Sequence, residues 1–262
     1  MPEKILEELK KYPQVEAIAI GGSRAGDLYD EKSDYDIYVY GSEPVSEEER
    51  RRILSQECSR MEIGNHFWEY EDNCTLSNGI DLDIIYRNLD VFIRDVSEVA
   101  EGFRASNGYT TCMWHNLITC KIIYDKHGRL AQAQNRFQIP YPPELKRNII
   151  ERNWKLLRYS MPAYEVQIRK AVQRGDLVSV NHRVTEFLAS YFDVIFAFNE
   201  MTHPGEKRLI QICTNQCRLL PEDFEKNLNR LYEDMYGNTE RVIHDISCIL
   251  DELEALCGYS EA

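Results

Sequence analysis

The sequence predicts an α+β protein, in which a mixed β-sheet with helices is followed by an all-α helical bundle. Two observations support this prediction. Short apolar runs rich in β-branched residues recur up to about residue 125 and alternate with helical segments, which is typical of a mixed sheet. After residues 136–143 (RFQIPYPP), apolar residues recur at intervals of three and four, as in packed helices.

The boundary between the two parts is set by proline. Three of the four residues at 140–143 are proline, which excludes a helix there. We therefore predict a first domain over residues 1–135 and a C-terminal bundle of five or six helices over residues 136–262. Hydrophobic residues make up 43% of the 262-residue chain, which is enough for a sizeable core.

The first domain is predicted to have five strands. They lie at residues 15–20, 34–40, 66–70, 79–86 and 121–124. A Ser46-x-x-Glu49 capping box opens the helix after the second strand, and that helix should run to about Met61. The order of strands and helices indicates a sheet with helices on one side.

The first strand ends in a glycine-rich bend, Gly21-Gly22-Ser23-Arg24. Glycine lets backbone N–H groups approach a ligand closely, and a nest of such groups suits phosphate. A short helix beginning near Ser23 would add its positive N-terminal end to the same place. Ser23 could also serve as a helix cap, which is compatible with binding phosphate.

Two pairs of acids follow on later strands. Asp34 and Asp36 open the second strand and point to the same face, with Cα atoms roughly 6.5–7 Å apart. Asp81 and Asp83 alternate in the same way on the strand at 79–86. Acids that converge from neighbouring strands repel each other unless a cation lies among them. The sequence therefore predicts a divalent-metal site beside a phosphate-binding bend.

These motifs resemble a known superfamily. The runs are Gly-Gly-Ser-Arg-Ala-Gly at residues 21–26, Ser-Asp-Tyr-Asp-Ile at residues 33–37 and Ile-Asp-Leu-Asp-Ile-Ile-Tyr at residues 80–86. Their types and spacing resemble the nucleotidyltransferase superfamily of DNA polymerase beta, and within it the small-molecule branch of aminoglycoside and lincosamide nucleotidyltransferases. The resemblance covers about residues 13–125.

The resemblance implies roles for particular residues. Gly22 and Ser23 would hold the phosphates of ATP or another nucleoside triphosphate, with Arg24 as a further contact. Mg²⁺ would be bound by three catalytic acids, Asp34, Asp36 and Asp83. Asp81 is the alternative for the third acid, because it shares a face with Asp83.

One further feature departs from the superfamily, and a second resembles a less characterised bacterial group in the same branch. Gly26-Asp27 stands where a basic residue and glycine are common, which weakens the case for phosphate contacts from Arg24 and Lys32. In the helical part, the run from His203 to Arg208 contains Pro-Gly-Glu-Lys. In one interpretation, Lys207 reaches nucleotide phosphates and Glu206 lies beside it in the cleft. In the other, the run is only the start of a helix, preceded by proline and glycine and with a glutamate in its first turn.

Charge and cysteine content bear on partners and compartment. The formal net charge is −13, and residues 1–125 hold 25 Asp and Glu against 13 Lys and Arg. This acidity disfavours nucleic acid and favours a cationic or neutral small acceptor, or else it only keeps the protein soluble. Eight cysteines without a signal peptide or a spanning segment indicate a cytoplasmic protein that meets no membrane.

The sequence thus predicts an Mg²⁺-dependent enzyme that moves a nucleoside monophosphate, AMP from ATP, onto a hydroxyl of a small molecule. An antibiotic of the aminoglycoside or lincosamide type is one such acceptor. Two alternatives stay open: nucleotidylation of a protein or an RNA end, and a module that binds nucleotide without catalysis. Nucleotidylation of an RNA end would need a basic groove that binds RNA. A non-catalytic module would be favoured if one of the metal-binding carboxylates were missing from the sequence.

Overall fold

The computed structural model describes residues 2–25 and 33–258, and of Ser23 it describes the backbone only. The chain forms two compact units. Unit 1 comprises Met1–Ser97 and Met113–Ile139, and unit 2 comprises Glu98–Cys112 and Pro140–Ala262. The segment at residues 98–112 therefore belongs to the second unit although it precedes the last part of the first.

Unit 1 contains a six-stranded mixed sheet. Its strands are β1 (Val15–Ile20), β2 (Tyr35–Gly41), β3 (Cys58–Asn65), β4 (Glu71–Leu76), β5 (Asp81–Asn88) and β6 (Lys121–Asp125). They lie in the order β3-β4-β5-β2-β1-β6. The β2–β5 pair is parallel and the other neighbours are antiparallel. The predicted mixed sheet is thus confirmed.

Helices cover both faces of this sheet. They are α1 (Glu3–Leu9), α2 (Glu47–Leu54), α3 (Leu89–Ala100), α4 (Cys112–Thr119) and α5 (Arg129–Phe137). On one face, Leu6 of α1 and Ile53 of α2 share a buried core with Ile37 of β2. On the other, the ring of Tyr40 meets the ring of Phe92 in α3, with 5.3 Å between centroids. The prediction of helices on one side is wrong, because the opposite face is also apolar at Tyr40.

The β3–β4 hairpin differs most from the prediction. Helix α2 ends at Leu54 and not near Met61, since residues 58–65 pair with β4. The strand predicted at residues 66–70 is the turn of this hairpin, in which Phe67 and Trp68 are 84% and 88% exposed. Aromatic residues favour strands chiefly because they pack well on a half-buried surface, and these two have no such surface.

A buried ion pair holds α2 against the hairpin. Arg50 of α2 and Asp72 of β4 are both fully buried, and the guanidinium donates to the carboxylate. The hydroxyl of Tyr86 donates to the other oxygen of Asp72 at 2.9 Å. The backbone N–H of Gly64 donates to Asp72 at the same distance. Because a buried charge is costly unless it is paired and hydrogen-bonded, this set of partners fixes how the helix docks.

Unit 2 is helical, as the sequence predicts. Within the described residues its α-helices from Pro143 onward are α6 (Pro143–Trp154), α7 (Tyr164–Gln173), α8 (Leu177–Phe198), α9 (Leu209–Gln216), α10 (Phe224–Gly237) and α11 (Val242–Cys257). One five-residue π-helical turn, Lys155–Tyr159, extends α6. The long helix α8 is buried along most of its C-terminal half, where Phe187, Tyr191 and Phe196 are each no more than 1% exposed.

A buried carboxylate ties the segment at residues 98–112 to the helices of unit 2. Asp193 of α8 is 1% exposed and accepts from the backbone N–H and the hydroxyl of Thr110, at 3.0 and 2.6 Å. Asn153 of α6 donates to the same carboxylate at 3.2 Å and to the carbonyl of Ser106 at 3.1 Å. Its amide oxygen accepts from the N–H of Gly108 at 3.1 Å.

All eight cysteines are thiols, so unit packing relies on no disulfide. Among the helices in the described part of the chain, none combines the length and the apolar composition that crossing a bilayer requires.

Asp193 makes stability depend on pH. Burial raises the pKa of this carboxyl to about 6, from an ordinary value near 3.8. Between about pH 4 and pH 6 the folded protein keeps the proton while the unfolded chain loses it, so stability falls as pH rises through this range. We expect the wild-type protein to lose roughly 3 kcal/mol there, and the Asp193→Asn variant to lose less. Urea unfolding followed by fluorescence from pH 4 to pH 7 measures this.

The matched control is Asp176→Asn, which removes the same charge from an exposed position on the same helix. Asp176 caps α8 by accepting from the N–H of Ser179 at 3.0 Å, and asparagine caps a helix about as well as aspartate. Its pH profile should follow that of the wild type. If Asp193→Asn also follows the wild type, burial of this carboxylate does not control the pH dependence.

Candidate active site

The two central acids lie side by side on neighbouring strands. Parallel pairing of β2 and β5 places Asp36 directly opposite Asp83. Residues in register on adjacent strands point to the same face, and neighbouring strands lie roughly 4.8 Å apart. The two carboxylates therefore share one face of the sheet at a spacing that one cation can bridge.

Asp34 and Asp81 lie at the same end of these strands. Asp34 directly precedes β2, Asp81 opens β5, and both are exposed. Asp81 accepts from the hydroxyl of Thr75 at 2.9 Å, and Asp83 accepts from the amide of Asn73 at 2.8 Å. The sequence could not separate Asp81 from Asp83. The register favours Asp83 as the third acid, since it is the one that faces Asp36.

The glycine bend closes against this acid pair. The N–H of Gly21 donates to the carbonyl of Asp36 at 2.9 Å. A Cβ at Gly21 would lie 2.1 Å from the ring of Tyr38, and a Cβ at Gly22 would lie 1.8 Å from Oδ2 of Asp36. Gly22 also has a φ of +57°, and it opens a short 3₁₀ helix, Gly22–Ala25. A side chain at Gly22 would have to adopt this positive φ and would also displace the carboxylate of Asp36, so glycine is favoured at this position.

Arg24 secures the other side of the bend. Its Nε donates to the carbonyls of Ser33 and Asp34, at 2.7 and 3.1 Å. Its guanidinium lies 3.9 Å from the centroid of the Tyr35 ring. These contacts tie the bend to the segment that carries Asp34, a role that the sequence did not indicate. The side chain of Ser23, and Gly26, Asp27 and Lys32, lie outside the described residues.

Three residues of this face were missed by the sequence analysis. Glu71 and Asn73 of β4 lie on the same side as Asp83, since Asn73 pairs with Asp83 and Glu71 with Ile85. Glu71 is only 7% exposed, and burial, with Asp83 and Glu69 nearby, raises the pKa of its carboxyl. The sequence Glu71–Leu76 is mostly polar and shows no alternation of apolar and polar residues, so it gave no signal that could have found this strand.

The third missed residue, Arg87 at the far end of this face, is engaged by its neighbours. Its Nε and Nη2 donate to the two carboxylate oxygens of Glu69, at 2.8 and 2.6 Å. Nη1 donates to Asn116 at 2.8 Å. The charge of Glu69 is balanced by a bidentate pair with Arg87.

Glu206 and Lys207, the two residues singled out in the helical part of the sequence, belong to unit 2. Lys207 is exposed in the turn before α9, so its predicted reach to nucleotide phosphates stays a prediction. Glu206 lines a cavity of about 590 Å³ that also contains Phe192, Glu225 and Tyr232. Arg208 lines the same cavity, so charged groups of both signs and two aromatic rings face it, which suits a polar, sugar-like molecule.

The acids of the face are those that could hold a divalent cation. Among the residues that the structure describes, no three His, Cys, Asp or Glu side chains are gathered closely enough to form an all-protein metal cage. Mg²⁺ does not require one, since it usually binds through one or two carboxylates together with substrate phosphates and water. The adjacency of Gly22, Asp36 and Asp83 fits this shared mode of binding.

Comparison with known families agrees with this geometry. Residues 3–97 match the family described as "Polymerase beta, Nucleotidyltransferase". Residues 109–209 match a domain of unknown function, DUF4037. The chain matches none of the curated proteins with which it was compared.

Two solved structures are similar over nearly the whole chain. A nucleotidyltransferase-like protein from Exiguobacterium sibiricum is 16% identical, with a TM-score of 0.43, and the match covers 98% of this chain and 73% of that one. An aminoglycoside 6-adenyltransferase from Bacillus subtilis is 10% identical, with a TM-score of 0.31, and the match covers 99% and 91% of the two chains.

Residues 3–97, which carry the glycine bend and the acids of β2 and β5, match the polymerase beta-like nucleotidyltransferase family. Over these residues the resemblance of the sequence motifs to that superfamily is confirmed, and this domain makes the protein a nucleotidyltransferase. Its place in the small-molecule branch stays a prediction.

Gly22 and Gly79 allow the role of the bend to be tested. Both have positive φ, at +57° and +84°, but a Cβ at Gly79 meets no atom within 4 Å. Gly79→Ala should therefore cost only the backbone strain, about 1–2 kcal/mol. Gly22→Ala also forces the carboxylate of Asp36 to rotate away from the added Cβ, so we expect a somewhat larger loss of unfolding free energy in urea. Equal losses for the two variants would show that the bend does not press against the carboxylate.

Proposed function

We propose that this nucleotidyltransferase transfers AMP from ATP, with Mg²⁺, onto a hydroxyl of a small molecule. The single observation that carries the proposal is the alignment of Asp36 with Asp83 beside Gly22. Such an array suits a reaction in which a triphosphate must be held and its negative charge neutralised while an oxygen attacks the α-phosphorus.

Each residue has a proposed part in the reaction. The backbone of Gly22 and Ser23 cradles the phosphates, and Arg24 holds the bend in place. Asp34 and Asp36 would hold the Mg²⁺, which when bound neutralises phosphate charge. Asp83 would either help to hold the cation or take the proton of the acceptor hydroxyl. The acceptor oxygen then bonds to the α-phosphorus as the bond to the β-phosphate oxygen breaks, and pyrophosphate leaves.

The acceptor is proposed to be cationic or neutral, and it would bind in the second unit. Residues 1–125 carry a net charge of −12, which repels polyanions such as RNA. The cavity beside Glu206 and Tyr232 provides carboxylates and aromatic rings for an amine-bearing, hydroxylated molecule. Aminoglycosides and lincosamides have this chemistry. The eight thiols are consistent with a cytoplasmic setting.

A macromolecular acceptor is the second candidate. Incubation with labelled ATP, Mg²⁺ and a panel of aminoglycosides, lincosamides and cell extract, followed by mass spectrometry, distinguishes the two. A labelled small molecule supports the proposal. Pyrophosphate release with label only on protein or RNA would replace it. Binding of ATP without pyrophosphate release under any condition would favour a module that binds nucleotide without catalysis.

Removal of either acid of the second strand should abolish turnover. Asp34→Asn and Asp36→Asn keep the shape of the side chain and remove the charge that holds the cation. We expect the rate of pyrophosphate release to fall at least about 100-fold in both variants. The free energy of unfolding, measured in urea, should stay unchanged or rise slightly. Glu62→Gln removes one charge from an exposed position of the same sheet and should leave the rate unchanged. Full Mg²⁺-dependent transfer by both aspartate variants would contradict the mechanism.

The register also predicts which acid of β5 matters more. Asp83→Asn should reduce turnover at least about 100-fold, because Asp83 faces Asp36 directly. Asp81 lies two residues before Asp83 on the same strand and accepts a hydrogen bond from Thr75. Asp81→Asn should therefore reduce turnover less than about 10-fold. Steady-state rates of the two variants at saturating ATP and Mg²⁺ decide between them. The reverse order would identify Asp81 as the third acid.

A further inference from the structure

A chain of side-chain amides leads from the β3–β4 turn to Asp83. The backbone N–H of Phe67 donates to Oδ1 of Asn65 at 2.8 Å. Nδ2 of Asn65 donates to Oδ1 of Asn73 at 2.7 Å. Nδ2 of Asn73 donates to Oδ1 of Asp83 at 2.8 Å.

Both ends of this chain fix its direction. A backbone N–H can only donate, so the oxygen of Asn65 must face Phe67. A carboxylate can only accept, so the nitrogen of Asn73 must face Asp83. The oxygen of Asn73 is then left to accept, and the nitrogen of Asn65 is left to donate. Each amide therefore has one orientation that satisfies all of its neighbours.

The carboxylate of Asp83 also opposes reversal of the Asn73 amide. Turning the amide over would place its oxygen against a carboxylate oxygen of Asp83, which is unfavourable. Glu71, a buried acid on the same face of β4, adds negative charge beside this position.

We propose that Asn65 and Asn73 form a positioning relay that fixes the carboxylate of Asp83, the third acid of the proposed nucleotidyl-transfer site. The relay commits one oxygen of Asp83 to Asn73 and leaves the other for the cation beside Asp36. Partners of this kind behind a ligating carboxylate commonly affect metal affinity and activity by 10- to 100-fold. This inference rests on the proposed function for its catalytic consequence, but not for its effect on cation binding.

The test reverses the relay with a single atom change. Asn65→Asp keeps the oxygen that accepts from Phe67 but cannot donate to Asn73. The amide of Asn73 is then drawn to turn its nitrogen toward residue 65 and its oxygen toward Asp83. Asn78→Asp is the matched control, because Asn78 uses only its oxygen, accepting from the N–H of Ile80 at 3.2 Å in the turn after β4. Both variants add the same charge.

Two measurements are made on the full-length protein. The first is Mn²⁺ affinity, followed by electron paramagnetic resonance with no substrate present. The second is pyrophosphate release with ATP and Mg²⁺. We expect Asn65→Asp to bind Mn²⁺ about 10- to 100-fold more weakly than Asn78→Asp and to lose a similar factor in kcat, while the KM for ATP changes less than about threefold. Asn65→Ala, which adds no charge, should show a smaller loss in the same direction if Asn65→Asp does not fold.

The outcomes separate the relay from the proposed function. Equal Mn²⁺ affinities of the residue 65 variants and Asn78→Asp overturn the relay, whatever the wild-type enzyme does. If those affinities differ but the wild type releases no pyrophosphate with any acceptor, the relay stands and the proposed function falls. A purely structural role would lower unfolding free energy without this selective loss of Mn²⁺ affinity.

Discussion

Two acidic side chains are held side by side in unit 1, and the proposed chemistry depends on them. Asp36 and Asp83 occupy one register position on parallel strands, and nothing on their own strands separates them. The opposite face of the same strands holds them there, because Ile37, Leu82 and Ile84 are fully buried in the core. A shift of one residue would send those apolar side chains to the site and the acids to the core. The hydrophobic core therefore enforces an electrostatic arrangement that is unfavourable without a cation.

The backbone around the acids is as constrained as the acids themselves. Gly21 and Gly22 leave no room for a Cβ, since Tyr38 and Asp36 occupy that space. The usual argument for glycine in such a bend is access of N–H groups to phosphate. In this protein glycine is also required by the side chains of the next strand. Arg24 adds to this by binding the two carbonyls before β2. The glycine bend and the segment that carries Asp34 and Asp36 are therefore held together by direct contacts.

The alternation of acids and apolar residues in β2 and β5 was enough to predict those strands and the face that Asp36 and Asp83 share. The β3–β4 hairpin could not be predicted in the same way. Its strand at residues 71–76 is mostly polar, and those polar groups are satisfied by residues distant in sequence, as Asp72 is by Arg50 and Asn73 is by Asp83. Single-sequence patterns do not show such partners. The aromatic run at Phe67 and Trp68 instead favoured a strand where the chain turns.

The composition of β4 explains both why the sequence did not predict this strand and why it carries part of the proposed relay. A strand that serves only the core is patterned by burial, and its sequence shows it. Strand β4 carries Glu71 and Asn73 toward the acids on one face and a buried Asp72 on the other, so its composition follows the needs of neighbouring charges. Local preference and tertiary role conflict there, and such conflicts are expected at functional sites. The hairpin that sequence patterns missed is, for that reason, where residues that support the third acid are found.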